Sequence, residues 1–371
     1  MTRIVVAVVV VLAAASGRAW AYPQYQLSRD ATCSACHVSP AGGGMLTENG
    51  MMIADSMSQW GTAPEFINGK VPLPKWLALG GDGRAVWGYL QTPQRYLLGF
   101  PMQIDLYANV AIAPAHLTVH VTAGYRPPEY RNEAATRVWS REHYVMWQQD
   151  AGANEGLFVR AGRFMPVFGL RFAEHPIYTR RYGGTQLYGE TYGVAVEYVK
   201  EKYEGHVTGF IRDPLIDPVE HANGAAGYGE YRVTKQLSIG GEGMISVTPD
   251  DKKFRGGVTA KLFLPKPDLL LQTELQFVNQ RIRGGGAPNQ IVGYLMGSKF
   301  IGNALMLDLG LGHYDENIRI KGLDRDCVDV NMHWFVTSHF EASLNARVEF
   351  IGLGSGGPTG AFAFLQGHYR L

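Results

Sequence analysis

Two cysteines and a histidine near the start of the chain have a spacing that suits covalent attachment and metal ligation. Cys33 and Cys36 lie three positions apart, and His37 follows directly. Residues three apart in a helical turn lie on one face, so both sulfurs can form thioethers with the edge of one porphyrin. The adjacent histidine then supplies a ring nitrogen to the iron. The spacing therefore predicts one covalently bound haem c, with His37 as the proximal iron ligand.

Two other interpretations of these residues are a redox disulfide and half of a zinc site. Zinc needs two further ligands, and no second Cys or His follows His37 nearby. The other axial position of the iron is less determined. We rank Met45 first as the distal ligand because it follows the flexible Gly42-Gly43-Gly44 turn. A distal His from elsewhere in the chain and an open site remain alternatives, as do Met51, Met52 and Met57.

The segment that carries these residues is too short to fold alone. Thr47 can cap a short helix from about residue 48 to 59. A Pro-rich stretch at residues 71–74 then ends the haem-binding segment, which we assign to residues 22–74. The stretch from His37 to the end of this helix is shorter than the roughly 40 residues that a domain needs for independent stability. We therefore expect the segment to dock in a larger structure as a plug.

The rest of the chain, residues 75–371, alternates apolar and polar residues with a period of two. Near the end, Leu344, Ala346 and Val348 interleave with Asn345 and Arg347. This period predicts strands with one apolar and one polar face. Their length favours a membrane barrel over a soluble all-β domain, because soluble strands run about 5 to 6 residues and membrane strands about 9 to 11. We place about 16 strands, at 84–98, 100–112, 115–125, 137–149, 155–163, 190–200, 203–212, 226–235, 237–247, 253–264, 267–282, 288–301, 303–314, 324–336, 338–350 and 360–371.

An all-β, antiparallel outer-membrane barrel is thus the predicted fold, with membrane lipid against its outer face. Aromatic residues near the predicted strand ends suit the two interfacial girdles of such a barrel. They are Trp87, Tyr89, Trp139, Tyr144, Trp147, Tyr188, Tyr192 and Trp334. The 34 Lys and Arg residues balance 33 Asp and Glu, so nucleic acid is not an expected partner.

The first residues indicate export. Arg3 precedes an apolar run, and Ala19-Trp20-Ala21 is a pattern that signal peptidase accepts, so we assign residues 1–21 to a signal peptide. Export agrees with covalent haem attachment, which occurs outside the bacterial inner membrane, and with an outer-membrane location. Cys327 stands alone, and we assign it no role beyond a buried or lumen-facing thiol.

These features resemble the fused monohaem cytochrome–porin family, known from iron-oxidising bacteria. The matching residues are Cys33, Cys36, His37, Pro40, Leu46, Thr47 and Gly50. The stretch from Gly162 to Arg171 also resembles a strand-and-loop motif of several outer-membrane porin families. The Gly triplet and the methionine cluster depart from the iron-oxidising members. The resemblance implies electron transfer across the outer membrane by a haem inside a barrel, between a periplasmic cytochrome and an extracellular donor or acceptor.

Two other functions remain open beside this electron-transfer role, which is that of a cytochrome and not of a substrate-converting enzyme. One is a porin or sensor whose haem segment is a plug, with an anion-selecting constriction formed by the arginines of the loop near residues 164–184. These are Arg163, Arg171, Arg180 and Arg181, which can equally pair with inward Glu and Asp. The other is catalysis at an open haem site. The remaining candidate histidines show no metal-site spacing, and none is assigned a role: His175, His206, His221, His313, His333 and His339.

Overall fold

Sixteen antiparallel strands dominate the part of the chain that the computed structural model describes, residues 26–27, 31–91, 94–112, 116–125, 138–174, 176–186, 189–214, 221–322, 324–352 and 357–371. The strands are β1 Leu77–Gln91, β2 Arg95–Ile112, β3 Leu117–Tyr125, β4 in two pieces (Val138–Trp139 and His143–Gln148), β5 Gly156–Phe164, β6 Thr191–Val199, β7 Tyr203–Ile211, β8 Asn223–Arg232, β9 Leu237–Val247, β10 Asp251–Leu264, β11 Leu269–Ile282, β12 Asn289–Ile301, β13 Leu305–Asp315, β14 Asp324–Thr337, β15 Phe340–Ile351 and β16 Gly360–Arg370. The helices are α1 Cys33–Cys36, α2 Glu48–Ser56 and α3 Tyr178–Arg181. Within these described ranges, no helix has both the length and the apolar character to cross a membrane. The predicted signal peptide lies outside them.

The strands close into a barrel. Each strand pairs with its sequence neighbours, and β1 pairs with both β2 and β16, so the sheet has no open edge. The two pieces of β4 both pair with β3 and together make one strand of the barrel. The prediction of about 16 antiparallel strands is confirmed. Closure gives every strand a partner on each side, as hydrocarbon surroundings require.

The barrel is apolar outside and charged inside. Leu97, Leu106 and Val207 are among the outward side chains and are 75%, 56% and 64% exposed. Inward positions carry buried charged groups such as Glu197 and Arg347. This inverts the pattern of a soluble barrel and gives a lipid-facing outer surface.

The first two strands differ from the prediction. β1 begins at Leu77, not at residue 84, and it ends at Gln91, while β2 begins at Arg95, so residue 99 lies within β2 and not between the two strands. Pro101 lies inside β2, at a point where the register with β1 shifts between Arg84 and Ala85. Proline has no N–H to give to a ladder, and a bulge is one of the few places in a strand that accepts it.

Tyr144 was expected in an interfacial girdle, but its ring points into the lumen. It is 4% exposed, while its neighbours Val145 and Trp147 face outward and are 45% and 38% exposed. The period of two in β4 puts Tyr144 and Trp147 on opposite faces. The exposed positions of Trp87 and Trp334 fit the girdle prediction, and Tyr188 lies outside the described residues.

The two ends of the barrel have different connections. At one end, called here the short-turn end, strands are joined by short stretches such as 200–202, 302–304 and 338–339. The opposite end carries longer connections, of which the longest is residues 165–190. Residues 165–174 and 176–186 of this connection are called here the inward loop. The inward loop folds back into the lumen, where Phe168 and Ile177 are 1% exposed.

Candidate haem site in the mouth of the barrel

Helix α1 brings the predicted haem ligands together. It is a single turn, closed by a hydrogen bond of 3.0 Å from the backbone N–H of His37 to the carbonyl of Cys33. Cys33 and Cys36 are its first and last residues, so their side chains lie on neighbouring positions of one turn. His37 leaves the helix in an extended conformation. The structure therefore places all three residues as the spacing predicts.

The chain after His37 folds back along itself. His37 lies directly opposite Leu46 in an antiparallel bridge, and the N–H of Val38 donates to the carbonyl of Met45 at 3.0 Å. Successive residues of an extended chain point to opposite faces, so Met45 and His37 lie on opposite faces of this pairing. The methyl group of Met45 packs near Gly80 of the barrel wall. Met45 as the distal iron ligand stays a prediction.

The fold-back leaves space beside the ligands that fits a haem. Gly42, Gly43 and Gly44 all have left-handed backbone, with φ of 81°, 77° and 61°. A Cβ at Gly42 would lie 3.5 Å from Sγ of Cys33 and 3.9 Å from Cδ2 of His37. Nδ1 of His37 is buried and has no hydrogen-bond partner among the described residues. The glycine cradle and this orphaned ring nitrogen fit a haem bound at Cys33, Cys36 and His37.

Burial affects the protonation of these ligands. Burial, with the positive charge of Arg370, lowers the pKa of His37 to about 4, so its ring is neutral at neutral pH, as iron ligation requires. Burial raises the pKa of Cys33 to about 11, against the opposing effect of Arg171. Since thiol–disulfide exchange uses the thiolate, this environment disfavours a redox disulfide. Within the described ranges, no cluster of three or more His, Cys, Asp or Glu residues could hold a metal ion.

Helix α2 supports α1 from behind. Thr47 caps it as predicted, accepting a hydrogen bond of 3.1 Å from the N–H of Gly50. The Thr47 hydroxyl also donates to the carbonyl of Ala35 at 2.8 Å, which ties the cap to α1. Gly50 lies against the carbonyl of Cys36, where a Cβ would overlap the oxygen. Only glycine allows this approach of the two helices.

The far end of α2 is fixed to the wall at the short-turn end. Met57, just after the helix, packs with Phe300, Met306 and Phe335 in a buried apolar cluster. The chain then crosses the barrel rim, where the N–H of Trp60 donates to the carbonyl of Val336 at 3.0 Å. The rings of Trp60 and Trp334 contact each other on the outside, with centroids 5.9 Å apart. The N-terminal segment thus lies in the mouth of the lumen and leaves it over the rim.

Wall and loop residues hold the other side of the segment. Nη1 of Arg160 donates to Oγ of Ser39 at 3.0 Å, and the Thr32 hydroxyl donates to the carbonyl of Asn154 at 3.2 Å. Arg171 of the inward loop reaches Cys33, with its Nη2 3.7 Å from Sγ. Sequence reasoning missed this contact. Its one available signal was the position of Arg171 at the end of the porin-like stretch.

The arginines suggested as an anion-selecting constriction are engaged within the protein. Arg163 pairs with Asp213 at 2.9 Å, Arg171 with Glu204 at 2.6 Å and Arg181 with Glu349 at 3.6 Å. Arg180 donates instead to loop carbonyls, including that of Phe172 at 2.8 Å. The other expectation was that these four arginines pair with inward carboxylates. Three of the four do so.

Lumenal histidines are likewise held by carboxylates. Nδ1 of His206 lies 3.1 Å from Glu197, and Nδ1 of His333 lies 2.9 Å from Glu341. His333 also lines a cavity of about 760 Å³, counting its open mouth, between the inward loop and the wall. His175 lies outside the described residues.

Comparison with solved structures shows which known proteins have a similar barrel. OmpT of Vibrio cholerae superposes with a TM-score of 0.60 at 10% identity, over 81% of this chain and 100% of that one. OmpF of Salmonella typhi, solved with daunomycin, gives 0.60 at 10% identity, over 80% and 97%. An anion-selective porin from Comamonas acidovorans gives 0.56 at 13% identity, over 79% and 98%. The fold is that of an outer-membrane porin. No protein-family model matches the chain, and no curated protein does.

The porin fold and the apolar exterior agree on where the protein resides. A closed barrel with an even number of antiparallel strands and a lipid-facing band is the architecture of bacterial outer-membrane proteins. The predicted outer-membrane location is therefore confirmed. These comparisons cover 79% to 81% of the chain and establish the barrel fold.

Proposed function

We propose that this protein is a monohaem cytochrome–porin that passes electrons across the outer membrane. The observation that carries the proposal is the seating of Cys33, Cys36 and His37, on and next to one helical turn, inside the mouth of a closed membrane barrel. A redox centre in this place would lie at one face of the insulating layer that electrons must cross. The resemblance to fused cytochrome–porins rests on the same residues.

The chain's own residues would hold the haem in stated ways. Cys33 and Cys36 would form the two thioether bonds, and His37 would ligate the iron from its neutral ring. Gly42 leaves room beside Cys33 and His37. Bound haem c supplies a centre that takes up and releases one electron. Arg171, whose charge is compensated by Glu204, lies against Cys33 and would hold the inward loop next to the haem.

The direction of the barrel suggests which partner meets which side. Bacterial barrels have short turns on the periplasmic side and longer loops outside. By this rule the N-terminal segment lies at the periplasmic mouth, where a periplasmic cytochrome can approach it. An extracellular donor or acceptor would have to approach through the lumen, and the cavity beside His333 lies on that path.

The competing function is a porin or sensor whose N-terminal segment only blocks the pore. The pairing of Arg163, Arg171 and Arg181 with carboxylates gives little support to an anion-selecting constriction. Neutralised arginines leave no excess of positive charge to attract anions.

The test uses the purified, haem-loaded full chain in liposomes, with a reductant outside and an electron acceptor enclosed. Stopped-flow visible spectroscopy follows the haem and the acceptor together. We expect the enclosed acceptor to be reduced by the wild type and by Cys327→Ser, a control that alters the third cysteine, which is buried in the wall. The double variant Cys33→Ser, Cys36→Ser should reduce none.

Two results would replace the proposal. Equal reduction of the acceptor by the double variant would show that electrons cross without the haem site. A haem that is reduced while no electrons cross and small anions leak through would establish the porin or sensor function instead.

A further inference from the structure

The inward loop touches the barrel wall at two glutamates that have no basic partner. Glu242 lies on β9 and Glu274 on β11, and both point into the lumen. The N–H of Leu170 in the loop donates to Oε2 of Glu274 at 3.1 Å. This is the point where the loop backbone comes against the carboxylates of the wall.

A glycine of the intervening strand lets the two carboxylates approach each other. Gly257 on β10 pairs with Glu242 on one side and with Gln276 on the other. A Cβ at Gly257 would overlap Oε1 of Glu242, so this carboxylate lies across β10 toward β11. Without a side chain at Gly257, Glu242 can lean toward Glu274 and Gln276.

A second glycine, in the loop, shows how closely the carboxylates converge. Gly169 has a left-handed φ of 66°, and a Cβ there would overlap Oε1 of Glu274 and lie 2.7 Å from Oε2 of Glu242. Oxygen atoms of both carboxylates therefore surround one point next to the loop backbone. Any other residue at Gly169 would displace them.

Several of the oxygens around this point are buried without a hydrogen-bond donor. Glu274 accepts hydrogen bonds from Leu170 and Gln276. By contrast, both carboxylate oxygens of Glu242, Oε1 of Gln276 and Oγ1 of Thr179 have no hydrogen-bond partner among the described residues. Gln276 and Thr179 are each 1% exposed, and the Thr179 side chain faces Glu274 from helix α3. Gln276 is oriented by its amide nitrogen, which donates to Oε1 of Glu274.

Two buried carboxylates without compensation are costly. Within the described ranges, no Lys, Arg or His forms an ion pair with Glu242 or Glu274. Two neighbouring carboxylates cannot both stay ionised in a buried site unless a cation or a shared proton compensates their charge. The arginines of the same loop are already engaged elsewhere, Arg171 with Glu204 and Arg181 with Glu349.

We propose that Glu242, Glu274, Gln276 and Thr179 form a binding site for a hard divalent cation of the calcium or magnesium type. Carboxylate, amide and hydroxyl oxygens are the ligands that such cations prefer, and two carboxylates match a double positive charge. The cation fastens the inward loop to β9 and β11. Because Gly169 lies two residues before Arg171, the same anchor fixes the arginine that contacts Cys33.

The test is a calorimetric titration of calcium or magnesium into the detergent-solubilised full chain after chelator treatment. We expect the wild type to bind one cation in this site. Glu242→Gln and Glu274→Gln should each weaken it by about tenfold or more, because each removes one of two charged ligands. Glu349→Gln is the matched control, since this lumenal glutamate is paired with Arg181 outside the site. Migration on unheated gels verifies that every variant is folded.

Two outcomes overturn the proposal. One is identical cation binding by the wild type and by both glutamine variants, which would place the bound ions elsewhere, for example on attached lipopolysaccharide. The other is a folded wild type that binds no cation in the millimolar range, which would mean that the two glutamates share a proton. Neither outcome depends on whether the haem proposal holds.

Discussion

Arg160 is the wall residue whose replacement tests how the N-terminal segment is held. Its guanidinium makes two hydrogen bonds to Glu197, at 2.7 and 2.8 Å, and a third to Ser39 of the segment at 3.0 Å. The side chain is 2% exposed, and its charge lies 4.4 Å from the centre of the Phe164 ring. Arg160 therefore joins the segment to the barrel through one desolvated group.

The expected loss of folding free energy depends on which buried groups each substitution leaves without a partner. Arg160→Met leaves Glu197, which is fully buried, with His206 as its remaining partner at 3.1 Å. Removing one member of a buried pair costs about 3 to 5 kcal/mol. At about 1.4 kcal/mol per power of ten, the folding equilibrium falls by two to four powers of ten. Ser39→Ala leaves the buried Nη1 of Arg160 without this acceptor and should cost about 1 to 3 kcal/mol.

The assay is urea unfolding of the barrel in lipid vesicles, followed by tryptophan fluorescence and checked by gel migration without heating. The double variant Arg160→Met, Glu197→Leu should regain most of the lost stability, because it removes the uncompensated charge along with the pair. The reasoning is refuted if Arg160→Met costs no more than Ser39→Ala. It is also refuted if the double variant loses as much stability as the single variants Arg160→Met and Glu197→Leu lose in sum.

Two further predictions concern the loop and helix beside Cys33. Gly42→Val and Gly43→Val both impose a left-handed backbone on a branched residue, at a cost of about 1 to 2 kcal/mol each. Only Gly42→Val fills the space next to Sγ of Cys33, since a Cβ at Gly43 meets no atom within 4 Å. Haem staining per chain should therefore fall for Gly42→Val alone, and equal staining of the two variants would contradict the cradle. Thr47→Ala should lower the stability of α2 by about 0.5 to 2 kcal/mol, measured by native-state proteolysis, whereas Thr47→Ser should retain the cap to Gly50.

The strands were predictable because successive residues of a membrane strand face the lipid and the polar lumen in turn, so apolar and polar residues alternate in the sequence. Each predicted strand after the second corresponds to an observed one, and the cap at Thr47 follows from local chemistry alone. The errors arose where one residue has two possible roles. Gly99, where the first turn was predicted, lies inside β2 and pairs with Trp87, and Tyr144 looks like a girdle residue but faces inward.

The long-range contacts of the site could not be derived from spacing. Arg171 and Cys33 are 138 positions apart, and they meet only because the inward loop and the N-terminal segment enter the lumen from opposite ends. The convergence of Glu242 and Glu274 depends equally on Gly257 in the strand between them. A sequence pattern with a period of two excludes a register slip of one residue but not of two, and it does not determine which loop and segment meet across the lumen.

The crossing of the rim at Trp60 has a consequence for the order of assembly. The N-terminal segment precedes β1, and β1 closes the barrel by pairing with β16. The segment is bound on the lumenal side by Arg160 and on the rim by Val336, so these contacts form only when the barrel wall is in place.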